Sequence, residues 1–168
     1  MTGLLLDSVR KVSSGFTISS GDNFQPFIHV VDLARLYLDL LSDALKPKDE
    51  IAETQGAWGP EAYYFAEQDE LPFKEYMEHI VSVLHRNGQL KSTFIKEIGF
   101  DTFLEALGAA NGPPEAEAWA RLTGIMLGSN TRIRASRARA LGWKPQESGV
   151  RATIDEVWGK YLEAEKRG

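Results

Sequence analysis

Apolar residues recur along this chain with the spacing of amphipathic helices, separated by short β-rich stretches and turn signals. The clearest helical pattern follows Asp32, where apolar side chains repeat three and four positions apart. Its stripe consists of Leu33, Leu36, Tyr37, Leu40, Leu41 and Leu45. We expect Asp32 to cap this helix, because a carboxylate accepts hydrogen bonds from the free N–H groups of a first turn. Pro47 ends the pattern.

A second strong pattern predicts a helix between Pro72 and the stop signal Asn87-Gly88. Its predicted inner face consists of Phe73, Tyr76, Met77, Ile80 and Leu84. Weaker patterns and cap signals predict further helices at about residues 3–11, 92–98, 101–107, 114–128, 136–141 and from 149 onwards.

Three stretches are typical of short strands. They are residues 16–18, the apolar run 27–31 and the aromatic run 62–66. The strands are too few for a complete doubly wound sheet. We therefore predict the α+β class, mostly helical with a few short strands, in a single domain over residues 1–168.

Composition narrows the classes of partner. The chain is 43% hydrophobic and 26% charged, with a net charge of −5, which argues against nucleic acid or an anionic membrane as the main partner. The absence of cysteine excludes disulfides and thiol catalysis. The apolar run Leu4-Leu5-Leu6 is too short for a signal-peptide core, and no later run approaches a membrane span. We expect a cytoplasmic location.

Three motifs, in order, resemble the extended short-chain dehydrogenases, the group of nucleotide-sugar epimerases and dehydratases. The first runs from Gly21 to Ala34 and contains His29-Val30-Val31-Asp32-Leu33-Ala34. The second, Ala62-Tyr63-Tyr64-Phe65-Ala66-Glu67, resembles the sheet-edge strand of atypical fungal-type members. The third is Ser136-Arg137-Ala138-Arg139-Ala140-Leu141-Gly142-Trp143-Lys144-Pro145. The resemblance implies the C-terminal, substrate-binding part of that family, with a truncated Rossmann sheet.

The cofactor features of the family do not occur in this sequence. Its glycine-rich turn cradles pyrophosphate at a helix N-terminus, but Gly56-x-x-Gly59 lacks the third glycine of such a turn. No tyrosine is followed four positions later by lysine, so none inherits the family's acid/base role. We therefore predict that the chain uses no cofactor.

Three residues are candidates for catalysis. His29 can serve as a base near neutral pH, and Glu61 is an alternative base. Tyr64 can donate a hydrogen bond to an oxyanion, as can Tyr63. The competing interpretation of His29, which the sequence favours, is a structural histidine bonded to nearby backbone.

A second set is predicted to bind the substrate where residues 23–29 and 56–66 border a pocket. This set is Phe24, Gln25, Phe27, Trp58, Tyr63, Arg132 and Arg134. The family resemblance implies that an arginine near Ser136 holds a substrate phosphate; here Arg132 or Arg134 can hold a carboxylate, enolate or phenolate. The alternative for the arginines is a solvated strip. No metal site is predicted, because His79 and His85 do not share one helix face.

Three functions are compatible with these features. The first is a cofactor-independent isomerase or cyclase, including pericyclic ring formation, that acts on an apolar small molecule in fungal-type secondary metabolism. The second is half of an NAD(P)-dependent epimerase or oxidoreductase, completed by another chain. The third is a non-catalytic small-molecule-binding or regulatory module. Because the resemblance leaves a sheet edge open, we also expect a homodimer.

Overall fold

Seven helices and four short strands make up the regular structure of the described residues in the computed structural model, which are 2–46, 58–60, 62–109 and 112–167. The helices are α1 (Thr2–Val12), α2 (Val30–Ala44), α3 (Phe73–Arg86), α4 (Phe100–Ala106), α5 (Pro114–Gly128), α6 (Ser136–Ala140) and α7 (Val150–Glu165). The strands are β1 (Gly15–Ile18), β2 (Phe24–Phe27), β3 (Asp69–Pro72) and β4 (Ile95–Ile98). The predicted α+β class with mostly helical content is confirmed.

The strands form two separate two-stranded sheets. β1 pairs with β4 in parallel, with Phe16 opposite Lys96 and Ile18 opposite Ile98, and β2 pairs with β3. The predicted strand at residues 16–18 is confirmed. No larger sheet occurs within the described ranges, and an origin of these strands in a Rossmann sheet stays a prediction.

The chain divides into two compact units, each assembled from separate segments. The first unit comprises Met1–Gln25, Leu71–Thr131 and Thr153–Gly168. The second unit comprises Pro26–Glu70 and Arg132–Ala152. That residues 1–168 form a single domain stays a prediction.

An aromatic cluster forms the centre of the first unit. Phe16 of β1 is fully buried, and its ring centroid lies 5.3 Å from that of Phe103 and 6.3 Å from that of Phe73. α3 contacts β1, and Met77 and Ile80 on this helix are fully buried. Burying side chains of this size contributes about 1.5–3 kcal/mol each, so the α3 face is a main source of stability in this unit.

A smaller core holds the second unit together. Leu36 of α2 packs with Ala135, Ala138 and Trp143, and the indole Nε1 of Trp143 donates a 3.0 Å hydrogen bond to the backbone oxygen of Asp32. The Asp32 carboxylate, which is fully buried, accepts hydrogen bonds from the backbone N–H groups of residues 146 and 147, each at 3.0 Å. Asp32 thereby fixes the chain segment that follows Trp143.

Four local predictions are wrong. The run 27–31 is not one strand, because β2 ends at Phe27 and α2 begins at Val30. His29 rather than Asp32 caps α2: its backbone is extended, and its Nδ1 accepts from the N–H of Val31 at 3.2 Å. Asp32 lies inside the first turn, where its carboxylate bonds to a distant part of the chain instead.

The other two errors concern a predicted strand and a predicted helix. Residues 62–66 form no strand, although alternate side chains do face opposite ways: Tyr64 and Ala66 are half-buried, whereas Tyr63 and Phe65 are exposed. The alternating burial shows that one side of this segment is packed. A β-strand also needs backbone hydrogen bonds to a neighbouring strand, and the described residues supply no such strand here. The predicted helix at 92–98 is replaced by β4, whose partner β1 lies far away in the sequence.

Candidate ligand-binding site

Helix α2 presents apolar side chains around much of its circumference. Leu36 faces the core of the second unit, while Leu33 and Leu40 are only partly buried. Because leucine has a high helix propensity and carries no polar atom to satisfy, this helix can form without burying its whole stripe. The partly buried leucines are therefore available to line a cavity.

A cavity of about 300 Å³ lies against this face of α2, and we call it the apolar cavity. Its lining consists of Ile28, Leu33, Leu36, Tyr37, Leu40, Tyr64, Phe65 and Ala66. The volume lies at the lower end of the range that small-molecule sites occupy. Its side chains are aliphatic or aromatic, and the only polar side-chain groups among these residues are the phenols of Tyr37 and Tyr64.

Tyr64 is the less exposed of the two phenols. Burial raises its pKa, the charge of Arg137 lowers it, and that of Asp43 raises it, so the net shift is upward. The phenol is therefore protonated at neutral pH and keeps its O–H as a hydrogen-bond donor.

A second cavity, of about 310 Å³, has a different character, and we call it the basic cavity. It is lined by Tyr63, Phe65, Arg134, Ser136 and Arg137. Phe65 belongs to both linings. Because the charge of Arg137 acts on Tyr64, a guanidinium of one cavity is close to the phenol of the other.

The two arginines predicted to hold a ligand have different environments. Arg132 makes two parallel hydrogen bonds, from Nε and a terminal nitrogen, to the carboxylate of Glu70 at 2.7 and 2.8 Å. The hydrogen bond from Arg132 holds the pKa of Glu70 below its ordinary value. The guanidinium fork of Arg132 is therefore engaged within the protein, whereas Arg134 lines the basic cavity.

His29 and Tyr64, the two predicted catalytic residues within the described ranges, do not line a common cavity among these two. His29 lines neither of these two cavities. Because its Nδ1 accepts a hydrogen bond from Val31, the neutral ring carries its proton on Nε2. Glu61 lies outside the described residues. Tyr64 borders the apolar cavity.

The remaining predicted binding residues fall into three segments of the chain, of which strand β2 carries Phe24, Gln25 and Phe27. Phe24 and Gln25 belong to the first unit, where the Gln25 amide donates to the backbone oxygens of Met126 and Ser129. Phe27 belongs to the second unit, and its backbone oxygen accepts from Gln68 at 2.9 Å. In the same unit, Trp58 donates from Nε1 to the Asp43 carboxylate at 2.7 Å. Tyr63 borders the basic cavity.

Sequence reasoning missed much of both linings. It assigned Leu36 and Leu40 to a packed face, and it did not single out Phe65, Ser136 or Arg137. The available signal was the width of the α2 stripe, since Leu38 and Leu41 extend it beyond one face of a helix.

Two general features of the described chain bear on the class of site. Its His, Asp and Glu side chains include no group of three or more placed to hold a metal ion. None of its helices has both the length and the apolar character needed to span a bilayer.

Comparison with known proteins adds nothing to the three motifs found in the sequence. No protein-family model matches the chain, and neither a curated protein nor a solved structure is significantly similar to it.

Proposed function

We propose that this chain is a cofactor-independent isomerase or cyclase whose small apolar substrate occupies the apolar cavity. The observation that carries the proposal is the combination of an aliphatic and aromatic lining with the protonated phenol of Tyr64. Sites for small molecules commonly join an apolar wall to a few polar groups in this way.

The composition of the lining favours a particular class of reaction. Among the described lining residues there is no carboxylate, imidazole or amine to abstract a proton. A pericyclic ring closure or rearrangement needs none, because its bonds form and break together in one cyclic step that transfers no proton to or from the protein. The cavity would hold the substrate in a reactive conformation, and the phenol would donate to an oxygen on which negative charge develops.

The resemblance to epimerase-like short-chain dehydrogenases supports descent from a substrate-binding part, as a proposal. In that view the pocket was retained while the redox function was lost, so turnover requires no nicotinamide. The roles of His29 and Glu61 as bases, a setting in fungal-type secondary metabolism and a cytoplasmic location rest on the sequence alone and stay predictions.

Binding is the first test. We expect N-phenyl-1-naphthylamine, a neutral aromatic probe whose fluorescence rises in apolar surroundings, to bind saturably with one site per chain. Ala66→Leu places extra methyl groups in the apolar cavity and should weaken binding by roughly tenfold or more. Ala34→Leu makes the same change at an exposed position of α2 and should have little effect. Absence of saturable binding by the unchanged protein would contradict the proposal.

Turnover is the second test. Small apolar compounds that displace the probe are incubated with the protein without nicotinamide, and products are separated by chromatography with mass detection. An isomerase or cyclase gives a product of unchanged mass and altered retention, and Tyr64→Phe should slow its formation by about a hundredfold. Binding without any product would favour the non-catalytic module. Product that forms only after addition of NAD(P) would favour the half-enzyme.

The outer surface of α2 supports a self-associating protein. Leu38, Leu41 and Leu45 are all exposed, and we call them the outward stripe. We propose that a second copy of the chain covers it, since a two-fold contact brings the same stripe of both copies together and needs no other partner. Sedimentation velocity should show a dimer; a monomer at all concentrations would contradict this proposal and leave completion by a separate chain as the alternative.

A further inference from the structure

Phe65 occupies a special place between the two cavities. It is the one described residue that lines both, and its side chain is exposed. Its neighbours divide between the cavities, with Tyr64 and Ala66 lining the apolar cavity and Tyr63 lining the basic cavity. The two spaces therefore meet at this residue.

The two cavities differ in what they can bind. The apolar cavity offers aliphatic and aromatic walls, whereas the basic cavity offers the guanidinium groups of Arg134 and Arg137. Guanidinium groups bind carboxylates and other oxyanions through charge-assisted hydrogen bonds. A ligand that used both cavities would need an apolar body about as large as the first and an anionic end in the second.

We propose that Phe65 is a specificity-determining residue that separates these cavities and restricts the site to compact, uncharged apolar ligands. The inference rests on the proposed function and names its substrate class. A ligand no larger than the apolar cavity, about 300 Å³, is accommodated without displacing the Phe65 ring. A longer ligand with an anionic end is disfavoured, because the ring blocks the path to the arginines.

The experiment compares two fluorescent probes. N-phenyl-1-naphthylamine is compact and neutral, whereas cis-parinaric acid is a long polyene with a terminal carboxylate. We expect the unchanged protein to bind the acid at least roughly tenfold more weakly than the naphthylamine. Phe65→Ala should tighten binding of the acid by roughly tenfold. It should weaken binding of the naphthylamine, because the ring is part of the apolar lining. Tyr63→Ala, which removes an exposed aromatic ring from the basic cavity alone, should not tighten binding of the acid.

A second arm tests the role of charge. In the Phe65→Ala background, Arg134→Gln should remove the gain for cis-parinaric acid and leave its methyl ester unaffected. Higher salt should weaken binding of the acid and not of the ester, because exposed charges are screened. Circular dichroism checks that each variant is folded, and Phe65→Leu provides a milder change at the same position.

The outcomes separate this inference from the proposed function. If the naphthylamine does not bind the unchanged protein, the proposed function fails. If the naphthylamine binds, but the acid binds equally well or Phe65→Ala leaves its affinity unchanged, the proposal for Phe65 is overturned while the proposed function stands.

Discussion

Helices α2 and α3 have similar patterns of apolar residues, but the structure buries the apolar side chains of α3 far more completely than those of α2. α3 buries Phe73, Met77, Ile80 and Leu84 almost completely. α2 carries at least as many large apolar residues, yet Leu36 is its only fully buried leucine, and Leu38 and Leu41 are 62% and 56% exposed. The periodicity of apolar residues therefore identifies a helix and its apolar side, but it does not reveal what covers that side.

The difference has a physical and a functional meaning. Side chains of α3 gain their stabilisation within their own unit, by removal of apolar area from water. The apolar surface of α2 is divided between the core, the wall of the apolar cavity and the outward stripe. Exposed apolar area of this kind is typical of binding surfaces rather than of a packed core.

The largest expected effect comes from matched leucine truncations on the two helices. Leu84→Ala removes a fully buried side chain from α3 and should lower the free energy of unfolding by about 3 kcal/mol. Leu41→Ala removes the same atoms from the exposed side of α2 and, at protein concentrations low enough for the monomer, should change it by no more than about 0.5 kcal/mol. Urea unfolding of both variants measures the difference; equal losses would show that α2 is packed like α3.

An intermediate effect is expected at Asp32, the polar anchor that ties α2 to residues 146 and 147. Asp32→Asn weakens the hydrogen bonds that the carboxylate accepts from Gln146, Glu147 and Arg35, and should cost about 2 kcal/mol in unfolding free energy. Asp39→Asn, at an exposed position of the same helix, serves as the control and should cost far less. A negligible loss at Asp32 would mean that the anchor does not hold the second unit together.

The same carboxylate predicts a pH dependence. Burial raises the pKa of Asp32, but the backbone hydrogen bonds from Gln146 and Glu147 and the interactions with Arg35 outweigh it, so the folded pKa lies below the ordinary value of 3.8. Its stabilisation is therefore complete above that ordinary pKa and is lost as the pH falls through the folded pKa. The free energies of unfolding of the unchanged protein and of Asp32→Asn should converge as the pH falls through this range. A difference that stays constant with pH would contradict the assignment.

The smallest effect on stability is expected at the outward stripe. Leu38→Gln should alter the free energy of unfolding of the folded chain by no more than about 0.5 kcal/mol, because the side chain is largely exposed. It should nevertheless shift sedimentation toward the monomer. A large loss of stability without any change in association would show that the stripe is part of a core.

Local signals explain which parts of the fold could be predicted. The end of α3 at Asn87 and Gly88 was predictable, because glycine readily adopts the positive φ, here 71°, that terminates a helix. β4 and the segment 62–66 were not, because pairing with a distant strand decides them and a short apolar run is compatible with either state. The role of Asp32 depends on residues 146 and 147, which no local pattern connects to it.

The residues of the candidate site also include some that the sequence could identify and some that it could not. Tyr63, Tyr64 and Arg134 were identified from residue type and motif position, and each borders one of the two cavities. Phe65 and Arg137 were not identified, because their importance follows from a cavity boundary that exists only in three dimensions.

The central claim is that the apolar face of α2 forms a cavity for a small molecule, separate from the outward stripe. The most direct measurement is a methyl NMR titration of the protein, with labelled leucine and isoleucine side chains, against N-phenyl-1-naphthylamine. We predict saturable shifts at Ile28, Leu33, Leu36 and Leu40, with Leu84 of α3 unchanged. Shifts confined to Leu38, Leu41 and Leu45, or no saturable shifts at all, would contradict the account.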